Sequence, residues 1–265
     1  IDNYLKSKKV FEINSKQYSI PKTNGEFLYK LKNQFIKLSS DKSFIEGRIK
    51  RSNNLGKLIP QLNYRGKYLY SYDWIEGDTL YDCSDSQILD KFLNFAEKNL
   101  WKIFDVGIDE SFKDNINGFE VNSIYELLNG FDWQSLFDGI PTKLFHGDLQ
   151  FDNVLYGNDE KFYLLDWRQD FAGSGVGDVY YDLSKMYGGI IMSYKLMKDE
   201  NNFSCSDNLN VFQPRYEKWI VNRGYDLDRV KLITSLIFLN MAPLHEEVFG
   251  NLLFFKSKEM MEENK

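Results

Sequence analysis

The chain has 265 residues, of which 43% are hydrophobic and 16% aromatic, so it can bury a core in one large domain or in two lobes that share a cleft. Its 33 basic and 39 acidic residues give a net charge of −6. That balance argues against a general nucleic-acid-binding protein, because affinity for the phosphate backbone requires a positive surface.

Cysteine usage and hydropathy predict a soluble, cytoplasmic protein. Cys83 and Cys205 are far apart and form no paired motif, so neither a disulfide framework nor a thiolate metal site is expected. The longest apolar run, residues 232–244, is too short to span a bilayer and is interrupted by polar residues. The first residues lack a signal-peptide pattern. Because the chain begins with Ile1, a fused upstream domain is left open as a partner.

Strands are predicted for the first part of the chain and mainly helices for the rest. Lys32-Asn33 is a turn signal between two apolar segments, typical of an antiparallel hairpin. Asp41 and Gly56 have the features of a helix start and a helix stop. The spacing of Ser84 and Gln87 is that of a capping box before a further helix. Strands are predicted at 10–13, 27–31, 34–38, 68–74, 154–156 and 162–165, and the other helices at 39–54, 179–186, 215–221, 229–240 and 246–262.

These elements predict an α+β protein with two lobes. A small β-rich N-terminal lobe would comprise residues 1–76, and a larger helical C-terminal lobe residues 77–265. Residues 76–78, Glu-Gly-Asp, are predicted to be the turn at the boundary. The sequence contains neither an internal repeat nor a low-complexity linker.

The segment most typical of a catalytic site lies between residues 144 and 168. Asp148 and Asn153 are five residues apart on a predicted loop, and Asp166 follows the second strand of the next predicted hairpin. Phosphoryl transfer requires a carboxylate that aligns the acceptor hydroxyl, and Mg²⁺ prefers oxygen ligands. Two carboxylates and an amide that can face one point therefore predict a phosphoryl-transfer site. Each Asp alone is more often a cap or turn residue, and only the ordered set favours catalysis.

This segment resembles the catalytic loop and metal-binding aspartate of the aminoglycoside phosphotransferase and choline kinase family, whose members are relatives of protein kinases. The family pattern, His-Gly-Asp, four residues, Asn and a later Asp, is matched at every position, although Gln150 stands where many members have a second His. The resemblance implies a protein-kinase-like fold with Asp148 as the catalytic residue. It also implies Asn153 and Asp166 as Mg²⁺ ligands and ATP or GTP as donor.

The resemblance extends to other segments with less specific motifs. Lys37 would be the nucleotide-phosphate lysine and Glu46 its ion-pair partner on the following helix, although an exposed strand lysine is the alternative. Tyr72 and Trp74 lie in a segment that resembles the nucleotide-binding hinge, whose backbone would read the purine edge. Asp178 is similar to the family's aspartate that opens a helix and braces the catalytic loop. A purely structural role for Asp178 is equally compatible with the sequence.

Competing motifs are incomplete. Residues 173–177 mimic a dinucleotide-binding loop, but Asp178 replaces its third glycine. His245 lacks the second histidine of a zinc-protease helix, and a chain with two histidines cannot form a multi-histidine metal site. A Walker-type phosphate loop is not found in the sequence.

The resemblance implies a small-molecule kinase whose partners are a nucleoside triphosphate and a small hydroxyl-bearing substrate, without nucleic acid or a membrane span. The Asp-Trp-Arg sequence at 166–168 and residues 177–183 are similar to phosphotransferases of bacterial surface-polysaccharide gene clusters. A sugar, polyol or amino alcohol is therefore the expected acceptor. Two alternatives are an aminoglycoside O-phosphotransferase and a nucleotide-binding pseudokinase that serves as an interaction module.

Overall fold

Ten strands and six α-helices lie in the part of the chain that the computed structural model describes, which is residues 10–12, 26–83, 85–102, 136, 139–171, 173–192, 207–245 and 247–263. The strands are β1 Val10–Glu12, β2 Glu26–Leu31, β3 Gln34–Ser39, β4 Leu62–Arg65, β5 Leu69–Asp73, β6 Gly77–Thr79, β7 Pro141–Thr142, β8 Val154–Gly157, β9 Phe162–Leu164 and β10 Gly177–Asp178. The helices are α1 Lys42–Leu55, α2 Ile88–Asn99, α3 Val179–Ile191, α4 Asp207–Asn222, α5 Leu227–Met241 and α6 Glu247–Glu263. A β-rich first part followed by a helical part confirms the predicted class.

The chain divides into two compact units. One comprises Ile1–Lys102 with Lys143–Gly177, and the other comprises Ile103–Thr142 with Asp178–Lys265. This is a different division from the predicted lobes, 1–76 and 77–265, and the lobe boundary stays a prediction.

The first unit is built on a five-stranded sheet in the order β1-β2-β3-β5-β4, in which β1 and β2 are parallel and the other pairs antiparallel. The hairpin β2–β3 confirms the predicted turn, and Lys32 takes the left-handed φ of 54° there. Phe35, Lys37 and Ser39 alternate onto the buried face of β3, which lies between β2 and β5. The sheet therefore buries a lysine where an apolar residue would normally lie.

Helix α1 and a second, three-stranded sheet complete this unit. Asp41 caps α1 by accepting bonds from the N–H groups of Ser43 and Phe44, and Gly56 ends it, as predicted. In the second sheet β8 pairs with both β9 and β6. The predicted turn at Gly77 is thus a short strand, because this segment forms a ladder with β8. The predicted cap residue Ser84 lies outside the described residues.

Helices α3, α4, α5 and α6 form the described core of the second unit. Hydrogen bonds from side-chain hydroxyl groups connect these helices. The Ser184 hydroxyl donates to the Val230 carbonyl oxygen, and the Tyr216 hydroxyl donates to the Leu183 carbonyl oxygen. All four helices were predicted, but α4 begins well before residue 215 because it continues through Pro214. Within the described residues, no helix has the length and apolar character that crossing a membrane requires.

Candidate active site

His146 holds the predicted catalytic loop in place. Its ring is fully buried, with Nδ1 3.2 Å from the backbone nitrogen of Asp148 and Nε2 2.9 Å from the carbonyl oxygen of Leu165. A backbone N–H can only donate, so Nδ1 accepts and Nε2 carries the proton that is donated to Leu165. Burial lowers the pKa of His146 to about 4, so the ring is neutral at pH 7. The neutral ring therefore connects the loop to the chain that leaves β9.

Two amide side chains orient the carboxylate of Asp148. Gln150 donates from Nε2 to Oδ1 at 3.0 Å, and Asn153 donates from Nδ2 to Oδ2 at 3.2 Å. The same Asn153 nitrogen lies 2.7 Å from the Asp148 carbonyl oxygen. Gln150, the departure from the family pattern, thus makes a polar contact within the loop.

Asn153 and Asp166 are neighbours because the loop and the end of β9 are hydrogen-bonded to each other. The N–H of Leu165 donates to the carbonyl oxygen of Asn153 at 2.7 Å, and the N–H of Arg168 to that of His146 at 3.0 Å. Asp166, between these two bonds, has a left-handed φ of 58°, which Asp tolerates better than most residues. The structure therefore brings Asp148, Asn153 and Asp166 together in one unit, while their roles stay predictions.

Lys37 reaches this cluster from β3. Only 1% of its side chain is exposed, which rules out the alternative of an exposed strand lysine. Its Nζ lies 2.5 Å from Oδ1 of Asp166 and 3.0 Å from Oε2 of Glu26 on the neighbouring strand. A buried ammonium requires such anionic partners. Sequence analysis did not identify Glu26.

The predicted pairing of Glu46 with Lys37 is corrected by the structure. The Glu46 side chain is 53% exposed, and Oε1 lies 3.1 Å from Nζ of Lys42, one turn earlier on α1. The buried face of α1 carries Ile45 and Arg48. Successive helix residues are rotated by about 100°, so Glu46 is directed away from that face.

Helix α1 presents arginines to the site instead. Nη1 of Arg48 lies 2.8 Å from Oδ1 of Asp166, and the Arg48 carbonyl oxygen accepts a bond from Nε1 of Trp167 at 3.0 Å. Arg51, one turn further on, donates to the carbonyl oxygen of Phe145 and lies over its ring, 3.6 Å from the centroid. The helix is thereby attached to both segments of the site. Two arginines at i and i+3 on the same helix as the apolar Ile45 and Leu55 were the available signal.

An apolar pocket of about 330 Å³, including space open to solvent, lies in the same unit. Both predicted hinge residues face it, and its lining consists of Phe35, Tyr72, Trp74, Ile75, Gly77, Leu155 and Leu165. The last of these precedes Asp166 in sequence.

Two backbone groups of the predicted hinge are already engaged. The N–H of Trp74 donates to the carbonyl oxygen of Asn33 at 2.7 Å, and the carbonyl oxygen of Glu76 accepts from Asn158 at 3.0 Å. A purine would therefore have to be read by other backbone groups of this segment.

The protein oxygens at the site suit a hard cation that takes most of its ligands from water and phosphate groups. Asp166 offers carboxylate oxygens and Asn153 the amide oxygen Oδ1, which is the ligand type of Mg²⁺. Among the described side chains, no group of three or more His, Cys, Asp or Glu residues is placed to hold a metal.

Comparison with known proteins gives matches in structure. No protein-family model matches the sequence, and the search of curated proteins gave no match. The solved structure of the choline kinase LicA from Streptococcus pneumoniae is 16% identical, covers 99% of this chain and 97% of its own, and has a TM-score of 0.53. A choline/ethanolamine kinase family protein from Mesorhizobium loti is 12% identical, with coverage of 94% and 89% and a TM-score of 0.47. A spectinomycin phosphotransferase bound to AMP is 15% identical, with coverage of 86% and 87% and a TM-score of 0.44.

The pneumococcal match shows the fold. Nearly the whole of both chains is covered, so this chain has the protein-kinase-like fold of a choline kinase. The resemblance predicted from the sequence is thereby confirmed at the level of fold. One fold can serve many acceptors, so the activity must be argued from the site.

Proposed function

We propose that the chain is a small-molecule kinase that transfers the γ-phosphoryl group of ATP or GTP to a hydroxyl of a sugar, polyol or amino alcohol. The observation that supports this most strongly is the clustering of Asp148, Asn153 and Asp166, with Lys37 buried against Asp166. The apolar pocket lined by Leu165, Tyr72 and Trp74 would bind the nucleotide base.

Asp148 is the residue that would act on the acceptor. Its carboxylate would align the acceptor hydroxyl with the γ-phosphorus. It would take the hydroxyl proton as the new P–O bond forms and the bond to the leaving nucleoside diphosphate breaks. The two amide donors, Gln150 and Asn153, hold the carboxylate in one orientation for this task. General-base catalysis of this kind typically contributes about 10²–10⁴-fold in rate.

Asp166 and Oδ1 of Asn153 would hold Mg²⁺, which when bound neutralises charge on the phosphates. Lys37 would contact the inner phosphates of the nucleotide. Asp166 here accepts from both Lys37 and Arg48 through Oδ1. These two cations would have to share or release that carboxylate when the metal–nucleotide complex binds.

The acceptor class is inferred from the resemblance of residues 166–168 and 177–183 to surface-polysaccharide phosphotransferases. Choline, the acceptor of the pneumococcal choline kinase, is an amino alcohol and belongs in the test panel. A cytoplasmic location fits this chemistry, because ATP and GTP are made there.

The decisive experiment is phosphotransfer from γ-labelled ATP and GTP to a panel of sugars, polyols, amino alcohols and aminoglycosides, with and without Mg²⁺. Labelled product with a compound of the first three classes supports the proposal. Efficient transfer to an aminoglycoside alone would replace it with the aminoglycoside phosphotransferase alternative. Calorimetry that detects neither ATP nor GTP binding would reject both. Nucleotide binding without transfer to any compound, and without hydrolysis, would favour the pseudokinase.

A further inference from the structure

Lys37 has an anionic partner that belongs to its own sheet. In the β2–β3 hairpin Lys37 is opposite Leu28, so Glu26, two residues before Leu28, is its diagonal neighbour on the same face. The two side chains are 1% and 5% exposed, and their charged atoms lie 3.0 Å apart. Backbone pairing on both sides of β3 fixes this relationship, because β3 is hydrogen-bonded to β2 and to β5.

The second partner of Lys37 is a residue that the proposed reaction requires elsewhere. Asp166 accepts from Lys37 at 2.5 Å and from Arg48 at 2.8 Å, through the same oxygen. If Asp166 becomes a Mg²⁺ ligand, its oxygens are drawn toward the metal and its hold on Lys37 weakens. Glu26, which lies on the strand beside Lys37, would keep its ion pair.

We propose that Glu26 is the positioning residue of Lys37 during turnover, taking the place that sequence analysis gave to Glu46. This inference rests on the proposed kinase function. Helix α1 then supplies no anion to the lysine; it supplies the cation Arg48 to Asp166. The orientation of Lys37 is consequently set within the sheet and does not depend on a glutamate of α1.

The contribution of Glu26 to nucleotide binding should depend on Mg²⁺. Without Mg²⁺, Asp166 still holds Lys37, and loss of Glu26 should weaken ADP binding by less than about twofold. With Mg²⁺, Asp166 is engaged by the metal and Glu26 orients the lysine. Loss of Glu26 should then weaken ADP binding by about tenfold, since removing one partner of a buried ion pair typically has an effect of at least this size.

The test is calorimetric binding of ADP, with and without Mg²⁺, to the full chain and to Glu26→Gln, Glu26→Asp and Glu46→Gln. We expect Glu26→Gln to reduce the gain in affinity that Mg²⁺ provides, Glu26→Asp to restore part of it, and the matched control Glu46→Gln to behave as the parent. The same order is expected in kcat/KM for ATP once an acceptor is known.

Three outcomes overturn the inference while the kinase assignment stands: Glu26→Gln binds like the parent, it loses the same factor with and without Mg²⁺, or Glu46→Gln shows the larger defect. A parent chain that binds no nucleotide instead rejects the proposed function itself. If Glu26→Gln does not fold, the gain in ADP affinity that Mg²⁺ provides is measured on Glu26→Asp instead. This variant keeps the charge but shortens the side chain, and a gain equal to that of the parent overturns the inference.

Discussion

The amide nitrogen of Asn153 lies 2.7 Å from the carbonyl oxygen of Asp148 and 3.2 Å from one of its carboxylate oxygens. Gln150 donates to the other carboxylate oxygen at 3.0 Å. Both neighbours present N–H groups, so residue 148 must offer an acceptor in two directions. An amide at this position would direct its own N–H₂ group at one of the two donors.

Asp148→Asn should therefore reduce turnover strongly and leave the nucleotide site in place. We expect kcat to fall by about 10²–10⁴-fold, because the proton acceptor is lost and one amide neighbour must turn away. The affinity for Mg²⁺–ATP should stay within about threefold of the parent value. Single-turnover rates and calorimetry on the same preparation measure the two effects.

Asp159→Asn is the matched control, since it makes the same chemical change in the exposed turn between β8 and β9. It should leave turnover unchanged. Near-parental turnover of Asp148→Asn would show that His146-Gly147-Asp148 is only a structural turn.

Asp166→Ala should lower both the stability of the fold and the affinity for Mg²⁺–ATP. The substitution leaves Lys37 with Glu26 but deprives the buried Arg48 of its contact with the Asp166 carboxylate. Breaking such a pair from one side typically costs about 3 kcal/mol of folding free energy. Denaturant unfolding and calorimetry of Mg²⁺–ATP binding measure the two losses.

The double variant Asp166→Ala, Arg48→Met separates these losses. Removal of the uncompensated cation should restore part of the folding free energy without restoring metal-dependent binding. If Asp166→Ala binds Mg²⁺–ATP as tightly as the parent, the metal-ligand role of Asp166 is wrong.

Trp74 should report nucleotide binding. It is one of five tryptophans and lies in the wall of the apolar pocket, whereas Trp167 is fully buried. Titration with Mg²⁺–ATP should change the tryptophan emission, and Trp74→Phe should abolish most of that change. The affinity should fall only modestly, because Phe keeps an aromatic surface in the pocket. An undiminished signal in Trp74→Phe would place the base elsewhere.

Sequence analysis predicted features that depend on short-range signals. The hairpin β2–β3 follows from Lys32-Asn33, and the ends of α1 follow from Asp41 and Gly56, since turns and caps are decided by neighbouring residues. The catalytic loop was located by a pattern within about twenty residues. Its Gly147 has φ +84°, and a Cβ there would lie 2.9 Å from Cβ of Arg168. Glycine is therefore required at this position.

Predictions failed where a side chain's surroundings come from distant parts of the chain. Arginine usually lies at the protein surface, yet Arg48 is buried because Asp166, 118 residues later, provides its counter-charge. Which face of α1 is covered is decided by that packing, so Glu46 was assigned to the wrong side. Glu26 was within reach of sequence reasoning, since the register set by the Lys32-Asn33 turn already places it diagonally from Lys37.

His146 should make the stability of the fold depend on pH. Its ring is fully buried and neutral, and burial lowers its pKa from 6.5 to about 4. Between these two values the unfolded chain binds a proton that the folded chain does not. Stability therefore rises with pH in this window, is fully present above about pH 6.5, and is lost as the pH falls toward 4. From pH 7 to pH 5 the loss due to this group is about 2 kcal/mol.

Comparison with His146→Gln isolates this contribution, because Gln can donate and accept but does not titrate. The free energy of unfolding, measured by urea denaturation at pH 7 and pH 5, should fall by about 2 kcal/mol less in the variant than in the parent. His245→Gln is the matched control: its half-buried ring also has a lowered pKa, so it should remove a smaller part of the pH dependence. Equal pH dependence in the parent and His146→Gln would mean that the pKa of His146 is the same in the folded and the unfolded chain. The hydrogen bonds that connect the ring to Asp148 and Leu165 would then not be maintained in solution.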